Sequence, residues 1–187
     1  MARLQRVLIA NLGEIAVRCI RACQALSLTS VALFTKADSH AIHVRLADVG
    51  ILLEDECSDA YTDIKAILKI CAEQCIDAAI PGYGFLSENV EFARRVNGAG
   101  MLFVGPDADA INAIGLKHTA RELAIAANVP VIKGSGLLKD AHEALQEASN
   151  LAFLIIIKAS GGGGGVGQQI CYSETDVASA FGDHKYQ

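Results

Sequence analysis

Residues 7–25 read Val7-Leu8-Ile9-Ala10-Asn11-Leu12-Gly13-Glu14-Ile15-Ala16-Val17-Arg18-Cys19-Ile20-Arg21-Ala22-Cys23-Gln24-Ala25. Four apolar residues without alternation, Val7 to Ala10, predict a strand buried on both faces. Asn11-Leu12-Gly13 makes a turn. Glu14 to Ala25 then carries apolar residues at helical spacing, with Ile15, Cys19, Ala22 and Leu26 predicted to share one buried stripe. A buried strand passing at once into a helix is a βα unit, and the rhythm repeats outward from it. Strands are predicted at Ser30–Phe34, Val49–Leu53, Ala78–Ile80 and Met101–Val104, with helices from Asp63 to Gln74 and from Glu91 to Asn97. Short connections between alternating strands and helices predict an α/β fold, a parallel sheet covered by helices.

Near residue 107 the rhythm changes. Helices are predicted at Ala108–Ile114, Thr119–Asn128 and Asp140–Asn150, then a strand, Phe153–Lys158, that runs into glycines from Gly161 to Gly165. Gln168–Tyr172 reads as the hairpin partner of that strand. Ser173-Glu174-Thr175-Asp176 has the spacing of a capping box and predicts one more helix start. Two regions are therefore expected, residues 1–107 and 108–187.

Composition narrows the function classes. Apolar residues make up 52% and charged residues 20%, which predicts a buried core instead of a disordered chain. A net charge of -5 argues against general binding to nucleic acid or anionic lipid. No apolar run approaches the ~18 residues of a membrane span, and no signal peptide opens the chain, so a cytoplasmic protein is expected. Cys19/Cys23 and Cys71/Cys75 are spaced i, i+4 on predicted helices, but no histidine or carboxylate set completes a metal site at either pair. Reduced, packed thiols and no metal site are expected. A GxGxxG fingerprint is absent, which disfavours dinucleotide binding by that route. The histidines lack the neighbours of a catalytic triad and are expected to be packed or solvated.

Two stretches carry the chemistry. In Ile155-Ile156-Ile157-Lys158-Ala159-Ser160-Gly161-Gly162-Gly163-Gly164-Gly165-Val166-Gly167 a strand ends in a lysine and opens into a run whose backbone N–H groups have no Cβ to keep an anion away. This is no P-loop, since no Gly-Lys-Ser/Thr follows and no helix opens after the glycines. A flexible linker is the plainer alternative, but a linker rarely follows a run so suited to a buried strand. In Ile80-Pro81-Gly82-Tyr83-Gly84-Phe85-Leu86-Ser87-Glu88-Asn89 a tight turn stands at the carboxyl end of a strand, where open α/β sheets bind ligands. Its plainer alternative is a strand-to-helix turn with Ser87 as the helix cap. By composition alone Gly115-Leu116-Lys117-His118-Thr119-Ala120-Arg121 is an ordinary basic helix start.

Together with Val7–Arg18 and His43-Val44-Arg45-Leu46-Ala47-Asp48, these stretches stand in the order found in the biotin carboxylase component of biotin-dependent carboxylases, which the chain resembles from about Arg6 to Asp176. Gly115–Arg121 and Gly165-Val166-Gly167 resemble the urea carboxylase branch, often part of urea amidolyase. The resemblance implies a Rossmann-like (pre-ATP-grasp) parallel sheet domain followed by the beginning of an ATP-grasp domain, a helical linker plus a small lid subdomain. It implies ATP-dependent carboxylation of biotin by bicarbonate, with ATP, bicarbonate and a biotinylated carrier domain as partners and a homo-oligomer as the assembly. Lys117, Lys158, Gly162, Gly163, Gly164 and Gly165 would bind ATP, and Tyr83, Gly84 and Glu88 would line the floor of the active cleft.

The departures are local. Leu12 stands where the family carries an arginine, and Ala152-Phe153-Leu154 where a proline precedes the lysine-bearing strand. The family's Mg2+-binding glutamates, catalytic base and biotin-contacting arginine belong to a large subdomain that would follow Gln187. No catalytic residue is therefore assigned within the chain, and Mg2+ ligands are expected beyond it. The expectation is a truncated carboxylase segment without complete turnover of its own. The alternative is a non-catalytic nucleotide-binding or subunit-interaction protein derived from a carboxylase.

Overall fold

The computed structural model describes residues 4–53, 60–161 and 167–182. It divides into two compact units, Met1–Ile111 and Asn112–Gln187.

The first unit is a five-stranded parallel sheet. Its strands are β1 (Arg6–Ile9), β2 (Thr29–Phe34), β3 (Val49–Leu52), β4 (Ala78–Ile80) and β5 (Leu102–Phe103), in the order β3-β2-β1-β4-β5. Helices α1 (Gly13–Ala25), α2 (Ile42–Leu46), α3 (Ile64–Glu73) and α4 (Val90–Gly98) connect them. The central strands are apolar over most of their length because both faces are covered. Leu8, Ala10, Val31, Leu33 and Ala79 face Ile67 and Cys71 of α3 and Phe92 and Val96 of α4. On the other face Ile9 and Ala32 meet Ala16 and Ile20 of α1, and Val7 and Ala78 meet Cys23. Each fully buried Leu, Ile or Phe here contributes about 1.5–3 kcal/mol. Phe92 and Phe103 add an edge-to-face contact with centroids 6.0 Å apart.

The stripe of α1 differs from its sequence reading. Ala16, Ile20 and Cys23 are buried, whereas Ala22 and Leu26 are exposed. Both sets have helical spacing, and the sheet takes the face with small Ala16 and Cys23, which lets the helix come close. The start of α4 is also corrected. Asn89, not Ser87, caps it, its Oδ1 accepting from the Phe92 N–H at 2.8 Å. Ser87 sits instead in a 3₁₀ turn, Phe85–Glu88, donating its N–H to Gly84 O. Asp63 caps α3 by accepting from Lys65 and Ala66 N–H. Asp77 Oδ2 accepts from Gln5 and Arg6 N–H at 2.8 Å each and ties the entry of β4 to that of β1.

Helix α5 (Ala108–Gly115) buries Ala108 and Ile111 in the core of the first unit. The second unit contains α6 (Lys117–Ala126), α7 (Ala141–Leu151), the antiparallel hairpin β6 (Ile155–Lys158) and β7 (Gln168–Cys171), and α8 (Glu174–Gly182). Its core is small, made of Ala144, Ala148, Ile157, Cys171, Val177 and Ala180. Strand β6 starts at Ile155, later than the predicted Phe153. The chain leaves α7 through Ala152 at φ 65, so Phe153 and Leu154 turn outward before pairing begins. The capping box of α8 forms as read: Ser173 Oγ accepts from the Asp176 N–H, and Asp176 Oδ2 accepts from the Ser173 N–H.

Candidate functional site

In the first unit the strand order reverses between β1 and β4, which are neighbours in the sheet. Open α/β sheets bind ligands at the carboxyl ends of strands at such a switch point. Asn11 follows β1 and the Pro81–Gly84 turn follows β4. The Asn11 amide, buried, donates from Nδ2 to Pro81 O at 2.6 Å and to Tyr83 O at 2.8 Å, stitching the two strand ends together. Its Oδ1 accepts from the Leu12 N–H at 2.8 Å. Gly82 holds φ 68, and a Cβ there would come within 2.8 Å of Ile15 Cγ1 and 3.0 Å of Asn11 Nδ2, so only glycine fits.

Beyond this stitch the predicted floor residues face outward. Tyr83 is 62% exposed and donates its hydroxyl to Glu14 Oε2 at 3.3 Å. Gly84 takes φ 67, and Glu88 is exposed on the 3₁₀ turn that follows. Leu12, in the place of the family's arginine, packs against the main core. His43 is buried with both ring nitrogens paired: Nδ1 accepts from the Gly13 N–H at 3.4 Å, and Nε2 donates to Leu33 O at 3.2 Å. It is a packed histidine, as read from the sequence.

In the second unit Lys158 ends β6 opposite Gln168, exposed, while its neighbour Ile157 points into the core. Lys117, at the first turn of α6, reaches the same strand end. Its Nζ donates to Ala159 O at 2.9 Å and to Ser160 O at 3.4 Å, and its N–H donates to Ser160 O at 3.3 Å. The hairpin closes with the Ala159 N–H donating to Gly167 O at 2.8 Å. The structure thus brings Lys117 to the end of the strand that Lys158 terminates. Gly162, Gly163, Gly164 and Gly165 lie outside the described residues, as do Val166 and Cys57.

Sequence reasoning missed Asn11, Gly82, His118 and Ser160 as structural determinants of these strand ends. Asn11 had only a turn context, and its acceptors lie about 70 residues away. Gly82 was legible only as turn-forming, since the close approach belongs to Ile15 and Asn11.

Residues 3–111 match the biotin carboxylase, N-terminal domain, family. The chain belongs to the biotin carboxylase family. Residues 117–185 match the ATP-binding domain family of the carbamoyl-phosphate synthase L chain, and the second unit is the start of an ATP-grasp module. A putative urea carboxylase of Emericella nidulans is 48% identical over 97% of this chain and 15% of its own length. The urea amidolyase of Lachancea kluyveri is 44% identical over 98% of this chain and 10% of its own length. The chain thus spans a small part of the length of these relatives. A solved biotin carboxylase domain dimer, that of Hydrogenobacter thermophilus 2-oxoglutarate carboxylase in complex with MgADP, ADP and bicarbonate, superposes with a TM-score of 0.93. It is 38% identical, with 98% of this chain and 41% of that chain covered.

Biotin carboxylases imply a Mg2+ centre. Among the described residues no group of three or more His, Cys, Asp or Glu side chains is placed to hold a metal ion. These residues do not fit the ion by themselves. Among the described residues no helix is long and apolar enough to cross a membrane.

Proposed function

We propose that this chain supplies the nucleotide-binding front of an ATP-dependent biotin carboxylase of the urea carboxylase type. In that reaction bicarbonate attacks the γ-phosphate of ATP to give carboxyphosphate and ADP, and the carboxyl group passes to a ureido nitrogen of biotin on a carrier domain. The observation that carries the reading is the convergence of Lys117 on the end of β6, next to Lys158. Two cations at one strand end, next in sequence to a run of glycines, supply the positive charge that phosphoryl transfer asks of a protein.

In this reading residues 1–107 form the Rossmann-like front domain and residues 108–187 the linker and lid region of the ATP-grasp module. Lys117, Lys158 and the glycines Gly162 to Gly165 take the phosphates. Tyr83, Gly84 and Glu88 line the floor of the cleft at the β1/β4 switch point. The enzyme is a cytoplasmic homo-oligomer. Two lysines bind a phosphate chain without activating bicarbonate, so the segment alone binds nucleotide and does not turn it over.

Titration calorimetry with ATP tests this. Heat of binding is expected from the purified chain, with Lys117→Ala and Lys158→Ala each weakening it about tenfold or more, the loss of one charge-assisted contact. No heat and no thermal shift with ATP would leave only a subunit-interaction role. Bicarbonate-dependent ADP release by the chain alone would overturn the claim that it binds without turnover.

A further inference from the structure

The branch mark Gly115–Arg121 differs from an ordinary basic helix start in what its histidine touches. Helix α6 opens at Leu116 without a side-chain cap, so its first N–H groups need acceptors from elsewhere. The Lys117 N–H finds Ser160 O at 3.3 Å, and Lys117 Nζ finds Ala159 O and Ser160 O. The remaining polar group of Ser160 is engaged as well. His118 Nδ1 lies 2.7 Å from Ser160 Oγ, and with the ring proton on Nε2 the hydroxyl donates to Nδ1. Neighbouring residues of one helix turn therefore hold two consecutive residues of a strand end about 42 positions away in sequence.

Ala159 and Ser160 sit between Lys158 and the glycine run. On the other side Gly167, at φ 68, accepts the Ala159 N–H. Lys117 cannot fix this segment alone, because a flexible ammonium hydrogen-bonds to a carbonyl without setting the rotation of the residue behind it. An imidazole is rigid and accepts along one direction, so it sets the side chain of Ser160 and with it the exit of the chain from β6.

We infer that His118 is a positioning residue, acting through the Ser160 hydroxyl to hold the Ala159–Ser160 segment where Lys158 and Lys117 address a nucleotide phosphate. The inference rests on the nucleotide reading for its consequence, but not for the clamp itself.

The test is a double-mutant cycle on the 187-residue chain, read by ATP calorimetry and by amide hydrogen exchange at Ala159 and Lys117. His118→Val and Ser160→Ala are each expected to weaken ATP binding about fivefold, the range of one hydrogen bond, and to speed exchange at both amides. The double variant is expected to lose no more than either single, since each removes the same bond. His118→Asn, whose side-chain oxygen can stand near the Nδ1 position, is expected to restore most of the affinity that His118→Val loses. Losses that multiply to about twenty-five-fold in the double variant, or singles that bind ATP like the parent, would overturn the inference. If the parent chain binds no ATP, the nucleotide reading falls and the clamp is judged on exchange alone. Faster exchange in both singles, no faster in the double, then supports it, and unchanged exchange overturns it.

Discussion

The Tyr61 hydroxyl donates to Asp38 Oδ2 at 2.8 Å, while the Tyr61 ring lies 5.4 Å, centroid to centroid, from Phe85. Asp38 also accepts from the Thr35 hydroxyl at 2.7 Å. The buried tyrosine therefore links the loop after β2 to the 3₁₀ turn that carries Glu88, and it braces the predicted cleft floor from behind. Tyr61→Phe keeps the ring and loses the bond, with an expected cost of about 1.5–3 kcal/mol for a hydrogen bond to a charged group. Tyr61→Ala loses both, about 3–5 kcal/mol. Urea unfolding of the two variants checks the order; no loss in Tyr61→Phe would show that the hydroxyl contributes nothing, and equal losses that the ring does not.

Gly82→Ala is expected to destabilise the first unit by about 2–4 kcal/mol, combining a left-handed φ with overpacking against Ile15 and Asn11. Asn11→Ala is expected to cost about 1–3 kcal/mol, because the carbonyls of Pro81 and Tyr83 lose their donor. Thermal unfolding of each variant is the measurement. An unchanged midpoint for Asn11→Ala would remove the stitch from the account.

Acid should loosen the first unit in a predictable direction. Hydrogen bonds from the Arg6 and Gln5 N–H groups hold the Asp77 carboxyl below its ordinary range, and the Ser30 hydroxyl and N–H do the same for Asp48. At Asp38 burial pushes the carboxyl up, but bonds from Thr35 and Tyr61 outweigh it and the net shift is downward. A lowered folded pKa gives stability that is present above the unfolded value, about 3.9, and is lost as pH falls through the folded one. Urea midpoints are therefore expected to drop below about pH 4, and Asp77→Asn to flatten part of that drop. A pH profile identical in parent and variant would refute the assignment.

Among the described cysteines, alkylation should begin at Cys75. It is exposed, whereas Cys23, Cys71 and Cys171 are buried and Cys19 partly so. Burial also pushes the Cys71 thiol up to about 11 and raises the thiols of Cys19, Cys23 and Cys171. Thiolate is the reacting form, so iodoacetamide at pH 8 and peptide mapping should find Cys75 labelled well before the others. Equal labelling of Cys71 in the folded chain would contradict the packing of α3.

Local signals were legible and long-range ones were not. Runs such as Val7–Ala10 and Ser30–Phe34 announce strands covered on both faces, and Ser173 with Asp176 announces a helix start, because both patterns are contained within a few residues. Which stripe of α1 is buried depends on how closely β1 and β2 can be approached, and two interleaved stripes with the same period look alike in sequence. The cap of α4 moved from Ser87 to Asn89 because a 3₁₀ turn uses up the intervening residues. Of the second unit's site, the lysine and the glycines stood out by composition. The His118–Ser160 contact joins two motifs that each looked complete alone.

The strand order also constrains how the chain comes into being. β1 is made first, yet one of its edges is completed only by β4, and Asn11 meets its acceptors about 70 residues later. During synthesis β1, β2 and β3 can associate while Val7, Leu8 and Ile9 still present an apolar open edge, the kind of surface that recruits other chains. Docking of Ala78–Ile80 covers the β1 edge and brings the Pro81–Gly84 turn to Asn11 in the same event, leaving β4 to be covered by β5. Closure of the β1 edge and assembly of the candidate crevice thus depend on the same three-residue strand.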